Sequence, residues 1–363
     1  MTFFIEPDFK HGQPARTGIL YCNLGTPEAP TAPAVRRYLA EFLSDQRVVE
    51  IPKAIWWLIL YGIILRVRPA KSAAKYATIW TREGSPLKIW TQTQALMLHG
   101  WLGERGHQIT ARFAMRYGSP SIAGELDRFK AEGITRVLIV PAYPQYSATT
   151  TASVFDAVYA WAAQTRLLPE FRFINHYHDH PLYITALASR VTGYWQTHGR
   201  PDHFVMSFHG VPHRTLELGD PYHCECRKTA RLLAEVLGLD KASYSITFQS
   251  RFGRAKWLEP YTEPTLIGLG KAGVKRVDVF CPGFTGDCLE TLEEIAQEVK
   301  AAFMAAGGLE FHYIPALNDS QAWLAALRDI CETHMAGWPT RVTPDADAML
   351  RSQQAARALG ATQ

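Results

Sequence analysis

The stretch FVMSFHGVPHRTLELGDPY, from Phe204 to Tyr222, opens with a nearly continuous apolar run, Phe204–Phe208, that leads straight into His209, Gly210, Val211 and Pro212. A parallel strand reads this way when helices cover both of its faces. Seven similar runs lie outward from it. Thr17–Asn23, Ile109–Met115, Arg136–Ala142 and Phe171–His176 come before; Tyr244–Gln249, Arg276–Cys281 and Glu310–Ile314 come after. Helical stretches separate them, such as 120–132 and 228–237, with Gly133 and Gly238 placed to cap their ends. Eight strands alternating with helices predict an α/β chain of two doubly wound domains. Ligands in such sheets sit beyond the carboxyl ends of the strands, so the residues following each strand carry the functional question. The loop after the first strand, Asn23-Leu24-Gly25-Thr26-Pro27, holds neither GxGxxG nor GxxxxGK[ST], which leaves a nucleotide site without support there.

The 363 residues exceed one ordinary core and suit two domains. With 47% hydrophobic and 20% charged residues, the composition is globular and not disordered. A net charge of +4 without a dense Lys/Arg stripe or basic tail argues against nucleic acid as a partner. Six scattered cysteines (Cys22, Cys224, Cys226, Cys281, Cys288 and Cys331) fit a reducing cytosol. The start, MTFFIEPDFKHGQP, lacks the form of a secretory signal, so a cytoplasmic location is expected. One segment stands apart: AIWWLILYGIIL, Ala54 to Leu65, followed by Arg66, Arg68 and Lys71. It is too short to span a bilayer, which takes about 20 apolar residues. Trp56, Trp57 and Tyr61 beside basic residues suit a membrane–water interface, and a buried helix fits the spacing equally well. The tail 337–363, polar and then Ala-rich, reads as a loosely docked helix or as disorder.

His209 is expected at the mouth of a cleft, where Gly210 permits close approach and Pro212 stiffens the exit. A histidine satisfied by a local carbonyl is the plainer alternative. The strand Arg276–Cys281 leads through Pro282-Gly283-Phe284-Thr285-Gly286-Asp287 into a helix, CLETLEEIAQEVK, with Thr285 or Asp287 as N-cap. On it Glu290, Glu294 and Glu298 recur every four residues. Four residues turn an α-helix by about 400°, so the row drifts about 40° per step, and a π-type helix would align it better. Carboxylate oxygens suit a divalent cation that must be held and then released. A solvated face is the alternative, and Glu293 reads as an ordinary surface residue. His176, His178 and His180 alternate and could chelate a metal from one strand face, though a solvated strand end is the preferred reading. Cys224 and Cys226 lack a second cysteine pair at zinc-site spacing. Cys331 reads as a small core residue.

Together these residues resemble the ferrochelatase family. The similarity runs over nearly the whole chain, with the motifs in family order. It includes LYCNLGTPEAP, REGSPL (Arg82 to Leu87), MRYGSP (Met115 to Pro120) and YPQYS (Tyr143 to Ser147). It continues through FVMSFHGVPHRTLELGDPY, FQSRFG and KWLEP (Phe248 to Pro260), and PGFTGDCLETLEEI (Pro282 to Ile295). The resemblance implies two Rossmann-like domains with a porphyrin cleft between them. The expected division is 16–165, then 166–316 carrying His209 and the Glu290 helix, then a helix at about 317–336 returning to the first domain. The implied activity is that of a lyase inserting Fe²⁺ into protoporphyrin IX to form protohaem, the last step of haem biosynthesis.

By the same resemblance His209 accepts pyrrole protons or ligates metal. Glu290 is the inner carboxylate, Glu294 and Glu298 the outward row, and Asp287 stands with them. Leu24, Arg116, Tyr117 and Trp257 match residues contacting the macrocycle, Phe284 adds an apolar wall, and Ser85 and Arg68 match positions near a propionate. Arg116 has the alternative of binding metal-associated water or a carboxylate of the protein. The apolar segment 55–65 matches a lip at the cleft mouth, implying peripheral contact with the inner face of the membrane. Some members hold a [2Fe–2S] cluster with a cysteine after YPQYS and others near the C-terminus. Here Ala148 follows Ser147 and only Cys331 lies beyond Cys288, so no such cluster and no permanent cofactor is expected. Cys288 stands where some members have a histidine. A monomer is expected, with Fe²⁺ and porphyrin as substrates.

The implied chemistry explains these residue types. Two N–H protons must leave the ring as metal enters, and a flat macrocycle hides its lone pairs. Neutral imidazole, with an ordinary pKa of about 6.5, accepts protons at neutral pH. Apolar walls that fit a buckled ring better than a flat one lower the barrier. Three other readings compete: coproporphyrin as substrate, cobalt insertion into a precorrin-like ring, and a non-catalytic haem carrier. The carrier would need neither His209 nor the glutamate row.

Overall fold

The computed structural model describes residues 3–251, 253, 255–343 and 345–362; Phe252 of the FQSRFG stretch and Pro344 of the tail lie outside the described residues. Eight strands form two four-stranded parallel sheets. The first contains β1 (Arg16–Gly25), β2 (Ile109–Tyr117), β3 (Ile134–Pro141) and β4 (Glu170–Phe173), in the order β2-β1-β3-β4. The second contains β5 (His203–His209), β6 (Tyr244–Gln249), β7 (Arg276–Phe280) and β8 (Glu310–Tyr313), in the order β6-β5-β7-β8. The topology is the same in both. In each, the order reverses beside the first strand, between β1 and β3 and between β5 and β7. Such a switch point opens a crevice beyond the carboxyl ends of those strands. The loop after β1, His209 and the loop after β7 are therefore placed by topology to face a ligand.

The helices are α1 (Ala32–Leu43), α2 (Lys53–Ile59), α3 (Leu65–Ile79), α4 (Pro86–Glu104), α5 (Ile122–Ala131), α6 (Ser153–Ala162) and α7 (Pro181–His198). They continue with α8 (His213–Glu217), α9 (Tyr222–Leu237), α10 (Thr262–Lys271), α11 (Lys300–Ala305), α12 (Gln321–His334) and α13 (Ala346–Ala358). The expected helix at 228–237 begins six residues earlier, at Tyr222. Gly238 ends it in the left-handed conformation that glycine adopts without strain (φ 63°). One buried cluster joins the two sheets, taking Tyr21 and Val140 from the first, Met206 and Phe208 from the second, and Trp323 and Leu327 from α12. Helix α12 packs against both α7 and α4.

Two expectations need correction. Strand β4 pairs with β3 from Arg136↔Glu170 to Ile139↔Phe173, so a division at 165/166 falls one strand early. This edge strand is only four residues long and mostly half-buried, which leaves little apolar signal to mark it. The strand expected to reach His176 also stops at Phe173, so His176 and His178 lie in the following loop. The tail forms a helix, α13, exposed along its length and capped by the Asp345 carboxylate, which accepts from the amides of Asp347 and Ala348.

The apolar segment is one continuous helical run with a π-turn, Leu60–Ile64, between α2 and α3. The buried-helix reading holds for one face, and the other face is open to solvent. Trp56, Leu60 and Leu65 are buried, and the Trp56 indole donates to the Leu43 carbonyl at 2.6 Å. Ile55, Trp57, Leu58, Ile63 and Val67 are more than half exposed. Among the described residues no helix is long and apolar enough to cross a membrane.

Candidate active site

His209 ends β5 half-buried, paired in register with Gln249 at the end of β6. Its Nδ1 lies 2.6 Å from the Gly210 carbonyl. A carbonyl can only accept, so Nδ1 carries a proton, and in the neutral ring Nε2 presents its lone pair. Tyr222 fixes the backbone, its hydroxyl donating to the His209 carbonyl at 2.9 Å. Gly210 is required by packing: a Cβ there would meet the Gln249 carbonyl oxygen at 2.7 Å and the Trp257 ring at 3.2 Å. Trp257 is thereby laid across the strand end, half-buried, held by a bridge to Pro212, with a buried indole nitrogen that has no partner.

The helix after β7 is a π-helix from Glu290 to Val299, the form in which the carboxylate row aligns better than in an α-helix. Glu294 is its most elaborately held side chain. Its carboxylate accepts from the Ser250 amide at 2.7 Å, the Ser250 hydroxyl at 2.5 Å and Gln249 Nε2 at 3.4 Å. Burial raises the Glu294 pKa, opposed by the Ser250 hydroxyl and by the charge of His209 and reinforced by Glu290. His209 and Glu294 are therefore electrostatic neighbours. Glu290 is half-buried, and its carbonyl accepts from Gln249 Nε2 at 3.0 Å. The buried Tyr38 and Tyr76 feel its charge, which adds to burial in pushing both phenols well up.

The outer end of the row differs from expectation. Glu298, half-exposed, is paired with Lys75 at 2.7 Å, and the same ammonium pairs with Glu293 at 3.1 Å. Glu293 is not an ordinary surface residue: it is 7% exposed, and burial raises its pKa against the pull of Lys75. The wider turn of the π-helix aims it at α3 instead of at water. Asp287 is also buried, with its carboxylate already hydrogen-bonded. It accepts from Tyr313 at 2.5 Å, Asn318 at 2.7 Å, Thr291 at 3.1 Å and the Ala316 amide at 3.3 Å. The structure places it as the anchor of the π-helix start, apart from the His209–Glu294 pair.

The other residues expected at the site are placed as follows. Leu24, the penultimate residue of β1, is half-buried and packs against the apolar cluster that includes Tyr38 and Tyr76. Ser85 is buried and accepts from the Thr26 hydroxyl at 2.8 Å. Arg68 lies half-buried on α3, where burial lowers its pKa. Phe284 is half-buried in the loop after β7. Arg116 and Tyr117, at the end of β2, converge on the Asp45 carboxylate at 2.7 and 2.8 Å. Arg116 also donates to the Ser153 carbonyl and hydroxyl at 2.8 and 2.7 Å. Of the roles open to Arg116, the contact with a protein carboxylate is present. Contacts from the loop after β7 lock the two halves together: Gln94 Nε2 donates to the carbonyls of Thr285 and Asn318, both at 2.7 Å.

Sequence reasoning gave no role to Asp45, Ser153, Gln249 or Ser250. The last two lie at the end of β6 and directly beyond it, inside a quoted motif, and that position was the available signal. Ser250 has φ 66°, an uncommon conformation for a non-glycine residue, and its two donors to Glu294 are what hold it there.

The family model described as Ferrochelatase matches residues 16–335. The ferrochelatase of Polaromonas sp. (strain JS666) is 67% identical across 99% of this chain and 100% of its own length. That of Methylibium petroleiphilum is 64% identical, with 98% of each chain covered. Among solved structures, SirB from Bacillus subtilis with Fe³⁺ superposes with a TM-score of 0.50 at 14% identity, covering 91% of this chain and all of SirB. At that identity the likeness speaks for the two-sheet chelatase fold alone.

Proposed function

The chain belongs to the ferrochelatase family, metal chelatases of haem biosynthesis, and from that premise we propose that it inserts Fe²⁺ into protoporphyrin IX. One observation carries the mechanism: an imidazole with its Nε2 lone pair free, beside a buried carboxylate held by Ser250. The macrocycle lies between the strand ends, with Trp257 and Phe284 on one side and Leu24 on the other. Ser85 and Arg68 face its propionates. Arg116 and Tyr117 support the wall through Asp45.

The reaction releases two pyrrole protons as the metal forms its bonds to nitrogen. His209 Nε2 takes the first, since it is the unengaged base at the strand end. Glu294 and Glu290 receive the metal or the second proton; burial raises the Glu294 pKa, which suits that carboxyl to either role. Glu298 is the outermost carboxylate, and an incoming cation competes there with Lys75. Asp287 fixes the π-helix that carries the row. Carboxylate and imidazole ligands do not separate late first-row divalent ions sharply, so supply favours Fe²⁺. No resident cofactor is needed, and Ala148 and Cys331 offer no four-cysteine set for a cluster.

Protoporphyrin is favoured over the more polar coproporphyrin by the exposed Ile55, Trp57, Leu58, Ile63 and Val67. This face suits shallow insertion into a lipid surface by a cytoplasmic, monomeric enzyme. The test is anaerobic porphyrin metallation by wild type, His209→Ala and Glu290→Gln, followed by loss of free-porphyrin absorbance with Fe²⁺ or Zn²⁺. Fast wild-type turnover with both variants severely impaired is expected. Tight porphyrin binding without turnover would make the protein a carrier and sink the proposal.

A further inference from the structure

His176, His178 and Glu225 form a cluster that the proposed reaction does not use. The loop after β4 presents the two histidines as alternate residues around Tyr177. The Tyr177 ring is buried against Trp323 and Tyr183, and its hydroxyl donates to the Pro141 carbonyl at 3.1 Å. Its amide donates to the Pro144 carbonyl at 2.9 Å. With Tyr177 pinned inward, the flanking imidazoles turn together toward the first turn of α9, their centroids 5.1 Å apart. Glu225 meets them there. His176 Nδ1 lies 2.6 Å from its Oε1, and His178 Nδ1 lies 3.3 Å from its Oε2.

We propose that these three residues are a second divalent-metal site, for a borderline first-row ion such as Zn²⁺, with solvent completing the shell. One ligand atom from each residue lies within 4.8 Å of the others. Metal–ligand bonds of about 2.0–2.2 Å in a tetrahedral shell put ligand atoms about 3.4 Å apart, so only small shifts are required. His178 is 6% exposed, yet its Nδ1 makes no hydrogen bond despite its closeness to Glu225. A buried imidazole nitrogen without a partner, aimed at a carboxylate, is the arrangement a cation would complete.

The supporting contacts are in place. Glu225 Oε2 accepts from the Tyr146 amide at 2.7 Å, which leaves Oε1 for the ion. The His178 carbonyl accepts from Thr229 at 2.8 Å, and Lys228 is occupied by Asp179 at 2.6 Å. His176 is exposed, so its Nδ1 proton can move to Nε2 and face water as the metal binds. Two neutral histidines and one carboxylate are a donor set that zinc accepts with a water as fourth ligand. Bound metal would clamp the loop after β4 to α9, three residues beyond Tyr222, which holds the His209 backbone.

The test uses the full chain, stripped of metal and carrying His209→Ala to silence the proposed reaction site, titrated anaerobically with Co²⁺. One equivalent is expected to bind with the visible ligand-field bands of a four-coordinate ion and to raise the unfolding temperature. Adding His176→Ala should weaken binding by at least about tenfold and abolish the thermal shift. His176 is exposed, so this change leaves the fold intact, and His176→Ala alone should metallate porphyrin at the wild-type rate. Equal Co²⁺ affinity with and without His176, or no binding to His209→Ala, would overturn the inference. Neither result bears on the reaction at His209.

Discussion

Replacing Asp45 by Asn tests whether the wall beneath the proposed macrocycle site depends on one buried charge. Asp45 Oδ2 accepts from Arg116 at 2.7 Å, Tyr117 at 2.8 Å and Ser153 at 2.5 Å, while Oδ1 accepts from the Arg47 amide at 2.7 Å. An amide can offer its oxygen to one group of these donors, and its NH₂ then faces the others. Breaking a buried ion pair costs about 3–5 kcal/mol. The Asp45 and Arg116 side chains are 8% and 19% exposed, which points to the lower end, about 3 kcal/mol. If all 363 residues unfold together, the entropy of about 0.8 kcal/mol/K converts this to a fall of about 4 °C in Tm.

The pH dependence is equally specific. The Ser153, Arg47 and Tyr117 donors, with the Arg116 charge, hold the Asp45 pKa below its usual value against the opposing effect of burial. A folded pKa below the unfolded one gives stability that is fully present above the unfolded value, about 3.9, and lost as pH falls through the folded value. The Tm difference between wild type and Asp45→Asn should therefore stay constant from pH 8 to about 4 and shrink only below. Thermal unfolding by circular dichroism at half-unit pH steps reads this directly. A difference under 1 °C, or one already shrinking between pH 7 and 5, would refute the reasoning.

Glu294→Gln should slow metal insertion by about 10²–10⁴-fold, and it should remove the acidic limb that the Glu294 carboxyl, its pKa raised by burial, gives the pH–rate profile. A folded pKa above the unfolded one means the ionised carboxylate opposes folding once pH exceeds the unfolded value. Glu294→Gln should therefore be at least as stable as wild type at pH 7, and a clear fall in Tm would count against this account. Gly210→Ala should destabilise by about 1–3 kcal/mol through the clash with Gln249 and Trp257, and raise KM for porphyrin as Trp257 moves. Urea unfolding and steady-state kinetics would show both effects or neither. Changing Trp57, Leu58 and Ile63 together to Ser should weaken binding to anionic vesicles by at least about tenfold, given about 1.5–3 kcal/mol for each large apolar side chain buried. Turnover on water-soluble porphyrins should survive, and unchanged vesicle sedimentation would remove the lipid role.

The strands were legible because parallel strands covered on both faces must be nearly continuous apolar runs, and residues such as Ile19, Val205 and Val277 are wholly buried. The sheet edges were less so: β4 is short and half-buried, which moved the expected division between the halves. His209 and the glutamate row were legible as candidates because one ends a strand and the other lies on the helix that follows the next strand of the sheet. Their partners were not. Asp45 is 71 positions from Arg116, and Ser250 adopts a positive φ that nothing in Gln-Ser-Arg announces. Glu293 misled for a different reason. A glutamate between two others reads as solvated in an α-helical projection, and only the π-helix turns it onto Lys75.

That same π-helix gives the proposed metal path a direction. At its outer end Glu298 is half-exposed and shares Lys75 with Glu293, so an arriving cation displaces an ammonium from a screened pair, a small cost at the surface. Further in, Glu294 is half-buried and burial raises its pKa, so a cation reaching it competes with a proton instead of an ammonium. His209, whose charge stabilises the Glu294 carboxylate when present, is the base next to it. Protonation of His209 by a pyrrole nitrogen would therefore lower the Glu294 pKa at the moment the metal needs an ionised ligand. Removal of the proton from the ring and recruitment of the metal become coupled through one electrostatic contact.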